Sequence, residues 1–209
     1  MNLFILHLKG KNFPLLINNE IKFLFIGRLD DRKSIIELCR VFSEIPIKNI
    51  SLSIIGNGIY KEEIEKLTKT DSRFNFLGFK SRDEVSSVLS SHDVLILPSK
   101  FDGWGAVVSE ALMKGMRCIV SDTAGSHSLI KNRPELGSVF ESQNWIDLRQ
   151  KIIYQIKKGP QTLCEKQQII EYSKSISSVR AADYLVEIID YLYGKSTICP
   201  MAPWASLNQ

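Results

Sequence analysis

Apolar residues along the chain fall into short runs, each ended by glycine or a small residue and followed by apolar positions at helical spacing. Lys22 to Ile26 runs into Gly27, after which Ile35, Leu38, Cys39 and Phe42 recur with the period of a helix. Ser51 to Ile55 runs into Gly56 and is followed by Ile64 and Leu67, and Phe74 to Leu77 runs into Gly78 and is followed by Val85, Val88 and Leu89. Val94 to Leu97 precedes a helical pattern over Gly105 to Lys114, then come Cys118 to Val120 and a short run at Ser138 to Phe140. Wholly apolar strands alternating with helices predict an α/β fold, a Rossmann-like parallel sheet of about six strands covered by helices on both faces.

After Asn144 only helical patterns remain, over Trp145 to Lys157, Leu163 to Lys174 and Ser178 to Tyr193. In the last of these, Ala181, Ala182, Leu185, Ile188, Ile189 and Leu192 form an apolar stripe that needs cover. The expected organisation is therefore an N-terminal segment over 1–20, a sheet domain with closing helices over 21–195, and a loose tail over 196–209 that contains prolines and no periodicity.

Composition narrows the class. At 209 residues, 44% hydrophobic and 24% charged, the chain can build one substantial core, and disorder, collagen and a disulfide miniprotein are excluded. No apolar run is long enough to span a bilayer, and Leu3 to Leu6 has neither a preceding basic stretch nor a following cleavage site, so a cytoplasmic location is expected. Cys39, Cys118, Cys164 and Cys199 are scattered without metal-ligand spacing and fit reduced thiols. The net charge of +4 is local: residues 149–180 hold seven basic and two acidic side chains. That stretch fits a solvated helical face or peripheral contact with anionic lipid at the inner face of the cytoplasmic membrane. Without interleaved aromatics or a recognition motif, it does not fit nucleic acid.

Ligands of an open parallel sheet sit at the carboxyl ends of its strands, which directs attention to the loops there. After the first strand, Gly27 permits a tight turn, and Arg28 and Lys33 bracket the way into the helix. A planar fork and a point charge beside a positive helix end suit a diphosphate, while ion pairs to Asp30 and Asp31 are the structural alternative. After the second strand, Gly56 and Gly58 flank Asn57, but Lys61 stands where a dinucleotide fingerprint has its third glycine. No GxxxxGK loop exists either, so an NAD oxidoreductase and a P-loop NTPase are disfavoured.

The segment Leu97 to Gly115 carries two acids eight positions apart. Asp102 precedes the helix, with a cap as its structural alternative, and Glu110 lies mid-helix among apolar neighbours, where its carboxylate needs a polar partner or a way out to solvent. Eight residues of helix span ~12 Å, beyond the carboxyl separations of hydrolytic glycosidases, so the pair suits opposite ends of an extended ligand. Trp104 can stack on a ligand or pack under its own loop. His7, His92 and His127 lack a nucleophile or acid partner and read as surface or structural residues.

The ordered motifs from Phe25 to Phe140 are Phe-Ile-Gly-Arg-Leu-Asp-Asp-Arg-Lys, Ile-Ile-Gly-Asn-Gly, Phe-Leu-Gly-Phe, Asp-Val-Leu-Ile-Leu-Pro-Ser, Asp-Gly-Trp-Gly and Ser-Glu-Ala-Leu. Together they resemble the nucleotide-sugar half of family 4 glycosyltransferases, retaining enzymes of GT-B architecture, and Ser175 to Tyr193 resembles that family's closing helix. The resemblance implies that Arg28 and Lys33 hold the diphosphate of a UDP- or GDP-linked sugar, that Glu110 hydrogen-bonds the ribose, and that Asp102 faces the donor sugar. It implies further that Gly103 and Gly105 let backbone amides approach phosphate or sugar, with Trp104 beside them, and that Phe76 to Phe79 lie near the base. No cofactor or metal is required on this reading.

Two departures accompany it. The family usually has Glu where Asp102 stands and often has Glu where Ser128 stands. Met1 to Glu20 is too short for the acceptor domain that precedes the donor half in such enzymes, though it can correspond to the final crossover from it. The expected function is thus transfer of a sugar with retention to an acceptor glycan or lipid-linked glycan in surface polysaccharide or lipopolysaccharide synthesis. The alternative is a binding subunit, or a fragment, that needs a separate acceptor domain or a second copy of itself.

Overall fold

The computed structural model describes residues 20–204; the N-terminal segment 1–19, with His7, and residues 205–209 lie outside the described part. The strands are β1 (Ile21–Ile26), β2 (Ile50–Ile55), β3 (Phe74–Gly78), β4 (Val94–Leu97), β5 (Arg117–Ser121) and β6 (Gly137–Phe140). All pair in parallel in the order β3-β2-β1-β4-β5-β6. The helices are α1 (Ile35–Ser43), α2 (Lys61–Thr70), α3 (Arg82–Ser90), α4 (Ala106–Met113), α5 (His127–Ile130), α6 (Trp145–Lys158), α7 (Leu163–Ser173) and α8 (Ser178–Leu192), with single 3-10 turns at Asp31–Lys33 and Lys174–Ile176.

Side-chain alternation in the strands divides the interior into two layers. Phe23 and Phe25 of β1, Val94 and Ile96 of β4 and Ile119 of β5 face one core, closed by α1, α2 and α6 through Leu38, Phe42, Ile64, Leu148, Ile152 and Ile156. Phe42 stands edge-on to both Phe23 and Phe74, at 5.6 and 5.4 Å between ring centres, and so ties β1 and β3 to the same helix. Leu24, Leu95, Leu97, Cys118 and Val120 face the other core, closed by α3, α4, α5 and α7 through Leu89, Val108, Leu112, Leu129 and Ile169. Burial holds the Cys39 thiol at about 12 and the Cys118 thiol well above its ordinary value, and neither is disulfide-bonded.

His92, in the connection from α3 to β4, is a structural residue. Its Nδ1 lies 2.8 Å from the carbonyl of Val88 and therefore donates; its Nε2 accepts from the Ser53 hydroxyl at 2.9 Å. Burial lowers its pKa from the ordinary 6.5.

Two features depart from the sequence expectations. α8 buries none of its residues, and Leu185, Val186, Ile189 and Leu192 stand exposed. Within 196–204, Trp204 packs edge-on to Tyr184 at 5.7 Å, and its carbonyl accepts from Arg133 at 3.2 Å.

The carboxyl rim is built on close backbone approach. Gly27 and Leu29 donate to the carbonyls of Ile55 and Asn57 at 3.0 Å, laying the β1 loop directly on the β2 loop. A Cβ on Gly56 or Gly58 would stand 1.8 or 2.4 Å from the backbone oxygens of Gly27 and Leu29, and Gly56 adopts φ +151°.

Two outcomes follow for stability. Gly56→Ala costs about 3 kcal/mol or more in urea unfolding, because the clash is with backbone and not with a movable side chain. For His92, the unfolded chain takes up a proton near pH 6.5 while the folded chain resists it. Stability is therefore complete above that pH and falls as the pH drops from 6.5 toward the lower folded-state pKa, by up to about 1.4 kcal/mol per pH unit. Urea midpoints measured across this window show a flatter profile for His92→Gln than for the unaltered protein.

Candidate functional site

Strand order reverses between β1 and β4. Connections run outward from β1 to β3 and then return to β4, so the loop after β1 leaves toward the α1 face and the loop after β4 toward the α4 face. Loops that part in this way open a crevice at the carboxyl ends of the two strands.

The β1 loop is shaped by its own polar residues. Asp30, extended at φ −140° and ψ 171°, caps the 3-10 turn by accepting from the Lys33 amide at 3.1 Å, and Ser34 at φ +50° starts α1 in a new direction. This sends the Lys33 side chain into the crevice, where its ammonium pairs with the Asp102 carboxylate, 69 positions away in sequence. Both side chains are largely covered, at 12% and 15% exposure. Arg28 does not join them. Its side chain is 73% exposed and pairs with Asp30 at 3.1 Å, the structural alternative raised by the sequence. Asp31 accepts from the Tyr60 hydroxyl at 2.5 Å, and that bond to a carboxylate pushes the phenol up to about 12.

The β4 loop is pinned to the β5 loop. Asp102 bridges in parallel to Ala124, the Gly125 amide donates to the Asp102 carbonyl at 3.1 Å, and the Ser126 amide donates to the Trp104 carbonyl at 2.8 Å. Gly105 is the N-cap of α4, in the left-handed region at φ +75°, with a virtual Cβ 2.6 Å from Leu97 and no side-chain cap. Asp102 therefore does not cap the helix; its carboxylate is turned to Lys33 and the positive end of α4 is left open. Glu110, in the second turn of α4, is half-buried and its carboxylate has no partner among the described residues.

Several residues at the rim were not singled out from sequence. The hydroxyls of Ser34, Ser99 and Ser126 are buried without a hydrogen-bond partner among the described residues. The Lys100 amide donates to the Arg32 carbonyl at 2.9 Å, a second link across the crevice. The Leu97-Pro98-Ser99 run at a strand end was the available signal for Ser99, whereas Ser126 and Lys100 carried none.

Phe79, Phe101 and Trp104 stand exposed on the loops after β3 and β4, and Gly103 has open space where a side chain would be. His127 contacts the Ala124 carbonyl through Nδ1 at 2.8 Å, and exposed Ser128 donates to the Gly125 carbonyl at 3.0 Å. Three of the seven cations of 149–180 form local ion pairs: Lys151 with Asp147, Lys174 with Glu171, Arg180 with Asp183. Among the described residues no helix is long and apolar enough to cross a membrane.

Residues 10–176 match the family model described as glycosyl transferases group 1. An uncharacterized glycosyltransferase of Methanocaldococcus jannaschii, MJ1607, is 32% identical over 119 residues, 55% of this chain and 30% of that one. The UDP-Gal:alpha-D-GlcNAc-diphosphoundecaprenol alpha-1,3-galactosyltransferase of Escherichia coli is 29% identical over 122 residues, 54% of this chain and 31% of its own length. Among solved structures, the apo lipopolysaccharide outer core galactosyltransferase WaaB superposes with a TM-score of 0.71 at 20% identity, covering 86% of this chain and 50% of that one. The chain thus spans about a third to a half of the length of these proteins. It belongs to the group 1 glycosyl transferases.

Proposed function

We propose that the chain is the donor-binding half of a family 4 GT-B glycosyltransferase that moves a sugar from a nucleoside diphosphate to an acceptor hydroxyl with retention at the anomeric carbon. The observation that carries this is the Lys33 ammonium held in the crevice between β1 and β4, facing the loop that leads to the uncapped N-terminus of α4. A diphosphate there meets one point charge and the N-terminus of a helix that no side chain caps, the two kinds of group that bind phosphate at the switch point of such sheets. Glu110, without a partner and one helical turn further on, is placed for the ribose hydroxyls. Exposed Phe79 offers a face to the base, and Gly27, Gly56 and Gly58 keep the floor of the rim at backbone height.

As the glycosidic bond breaks, negative charge grows on the diphosphate oxygens. Lys33 and the α4 amides stabilise that charge without rearranging, which lowers the barrier to departure. Lys33 meets the phosphate at the expense of part of its bond to Asp102, so Asp102 is released toward the sugar as the donor arrives. Arg28 reaches the outer phosphate from its exposed position by exchanging Asp30 for it. Gly103 and Trp104 lie on the sugar side of the same loop. The activity named for the Escherichia coli relative supports a UDP-linked donor and a lipid-linked glycan acceptor, hence surface polysaccharide or lipopolysaccharide assembly at the cytoplasmic membrane.

A second reading is a nucleotide-sugar-binding subunit that acts only with a separate acceptor domain or a second copy. The exposed Leu185, Val186, Ile189 and Leu192 of α8 favour it, since they present an apolar surface with no cover among the described residues.

Calorimetry with UDP and GDP tests the donor site. Lys33→Ala and Glu110→Ala each weaken the preferred nucleotide about tenfold or more, and Arg28→Ala, exposed and more replaceable, does so by less. Unchanged affinity in Lys33→Ala removes the diphosphate from the crevice. Asp102→Asn takes away the carboxylate that competes for Lys33, so it tightens UDP or GDP several-fold while lowering sugar transfer; weaker binding in that variant counts against the release of Asp102. Transfer from radiolabelled donor, with and without a candidate acceptor domain, separates the enzyme from the binding subunit.

A further inference from the structure

At the β6 edge of the sheet, where the chain enters β6, a cavity of about 600 Å³ opens between the Arg133–Leu136 turn, α7 and the start of α8. Its floor is Arg133, only 7% exposed. The guanidinium lies over the Tyr172 ring at 4.6 Å and gives one hydrogen bond, from Nη2 to the Trp204 carbonyl at 3.2 Å. No carboxylate pairs with it among the described residues, and Nε and Nη1 have no hydrogen-bond partner there, although neither is sealed from the cavity. The other cations of the lining are taken: Lys174 pairs with Glu171 at 2.5 Å and Arg180 with Asp183 at 3.3 Å. Glu135, the remaining acid of the lining, is exposed and forms no ion pair.

A buried guanidinium without a counter-ion is costly, and an aromatic face offsets only part of that cost. Arg117 makes the contrast. It is more deeply buried, with an unpartnered Nε, but that atom is sealed and Arg117 borders neither this cavity nor the smaller one beside α6. We infer that the Arg133 cavity is a second binding site, for an oxyanion group, carboxylate or phosphate, carried on a small ligand. The second proton of Nη2, left over from the Trp204 bond, is parallel to an N–H of Nε or of Nη1 and forms with it a fork for two oxygens of such a group. The site lies at the amino end of β6, away from the carboxyl ends of β1 and β4 where the donor crevice opens, and does not depend on the function proposed for that crevice.

The test is a titration of the uniformly 15N-labelled chain with inorganic phosphate and, separately, with malonate, at constant ionic strength, followed by NMR. At least one of the two produces saturable shifts of the Arg133 Nε–H and of the Ser175 and Trp204 amides below roughly 20 mM. Saturation by phosphate alone assigns a phosphoryl ligand, by malonate alone a carboxylate, and by both an unselective oxyanion site. Arg133→Lys, which keeps the charge and loses the fork, weakens the response at Ser175 and Trp204 about fivefold or more. UDP shifts Gly27 and Gly105 and leaves Arg133 unmoved, which keeps the two sites distinguishable. Shifts at Arg133 that are absent, or that rise linearly with both anions, overturn the inference whether or not the variant folds.

Discussion

The ion pair between Lys33 and Asp102 joins two loops that the sheet topology drives apart. The β1 loop departs with α1 and the β4 loop with α4, on opposite faces, and this pair bridges them together with a backbone bond from Lys100 to Arg32 and a longer ion pair from Lys100 to Glu37 at 3.8 Å. Both charged groups are largely withdrawn from water, so removing either leaves the other uncompensated, and such losses cost several kcal/mol where a surface pair would cost almost nothing. On the proposed donor site, the same pair holds the cation where the incoming phosphate competes for it, so that closure of the rim and anion binding rest on one contact.

Around that contact the protein keeps side chains out of the way. Gly56 and Gly58 let the β2 loop lie against the backbone of the β1 loop, and Gly105 turns the chain into α4 without placing a side chain over its first amides. The rim carries unsatisfied polarity in the buried hydroxyls of Ser34, Ser99 and Ser126 and in the carboxylate of Glu110, which has no partner among the described residues. Polar groups left without partners in a rim otherwise built by close backbone contact are consistent with a ligand completing them.

The strands were legible because both faces of this sheet are buried, which makes each strand a short apolar run. Val94–Leu97 has the boundaries its run implied, and the other strands extend theirs by a residue at one or both ends. α5, at His127–Ile130, was not legible, since four residues show no helical period. Glycine positions in the rim were visible, but their reason was not, because it lies in backbone atoms of another loop. The coupling of Lys33 to Asp102 could not be read across 69 positions; the sequence grouped Lys33 with Arg28, its neighbour in the chain, whereas the local cap by Asp30 separates the two. Asp102 was open to reading as a helix cap because acids commonly serve there, and Gly105 holds that place instead.

The most direct measurement is a crystal structure of the chain soaked with UDP or with GDP. The expected result is the diphosphate in the crevice between β1 and β4, with an oxygen in hydrogen-bond contact with the Lys33 ammonium and the first amides of α4, and the ribose at Glu110. An ordered nucleotide elsewhere on the molecule, with Lys33 still wholly paired to Asp102, would contradict it.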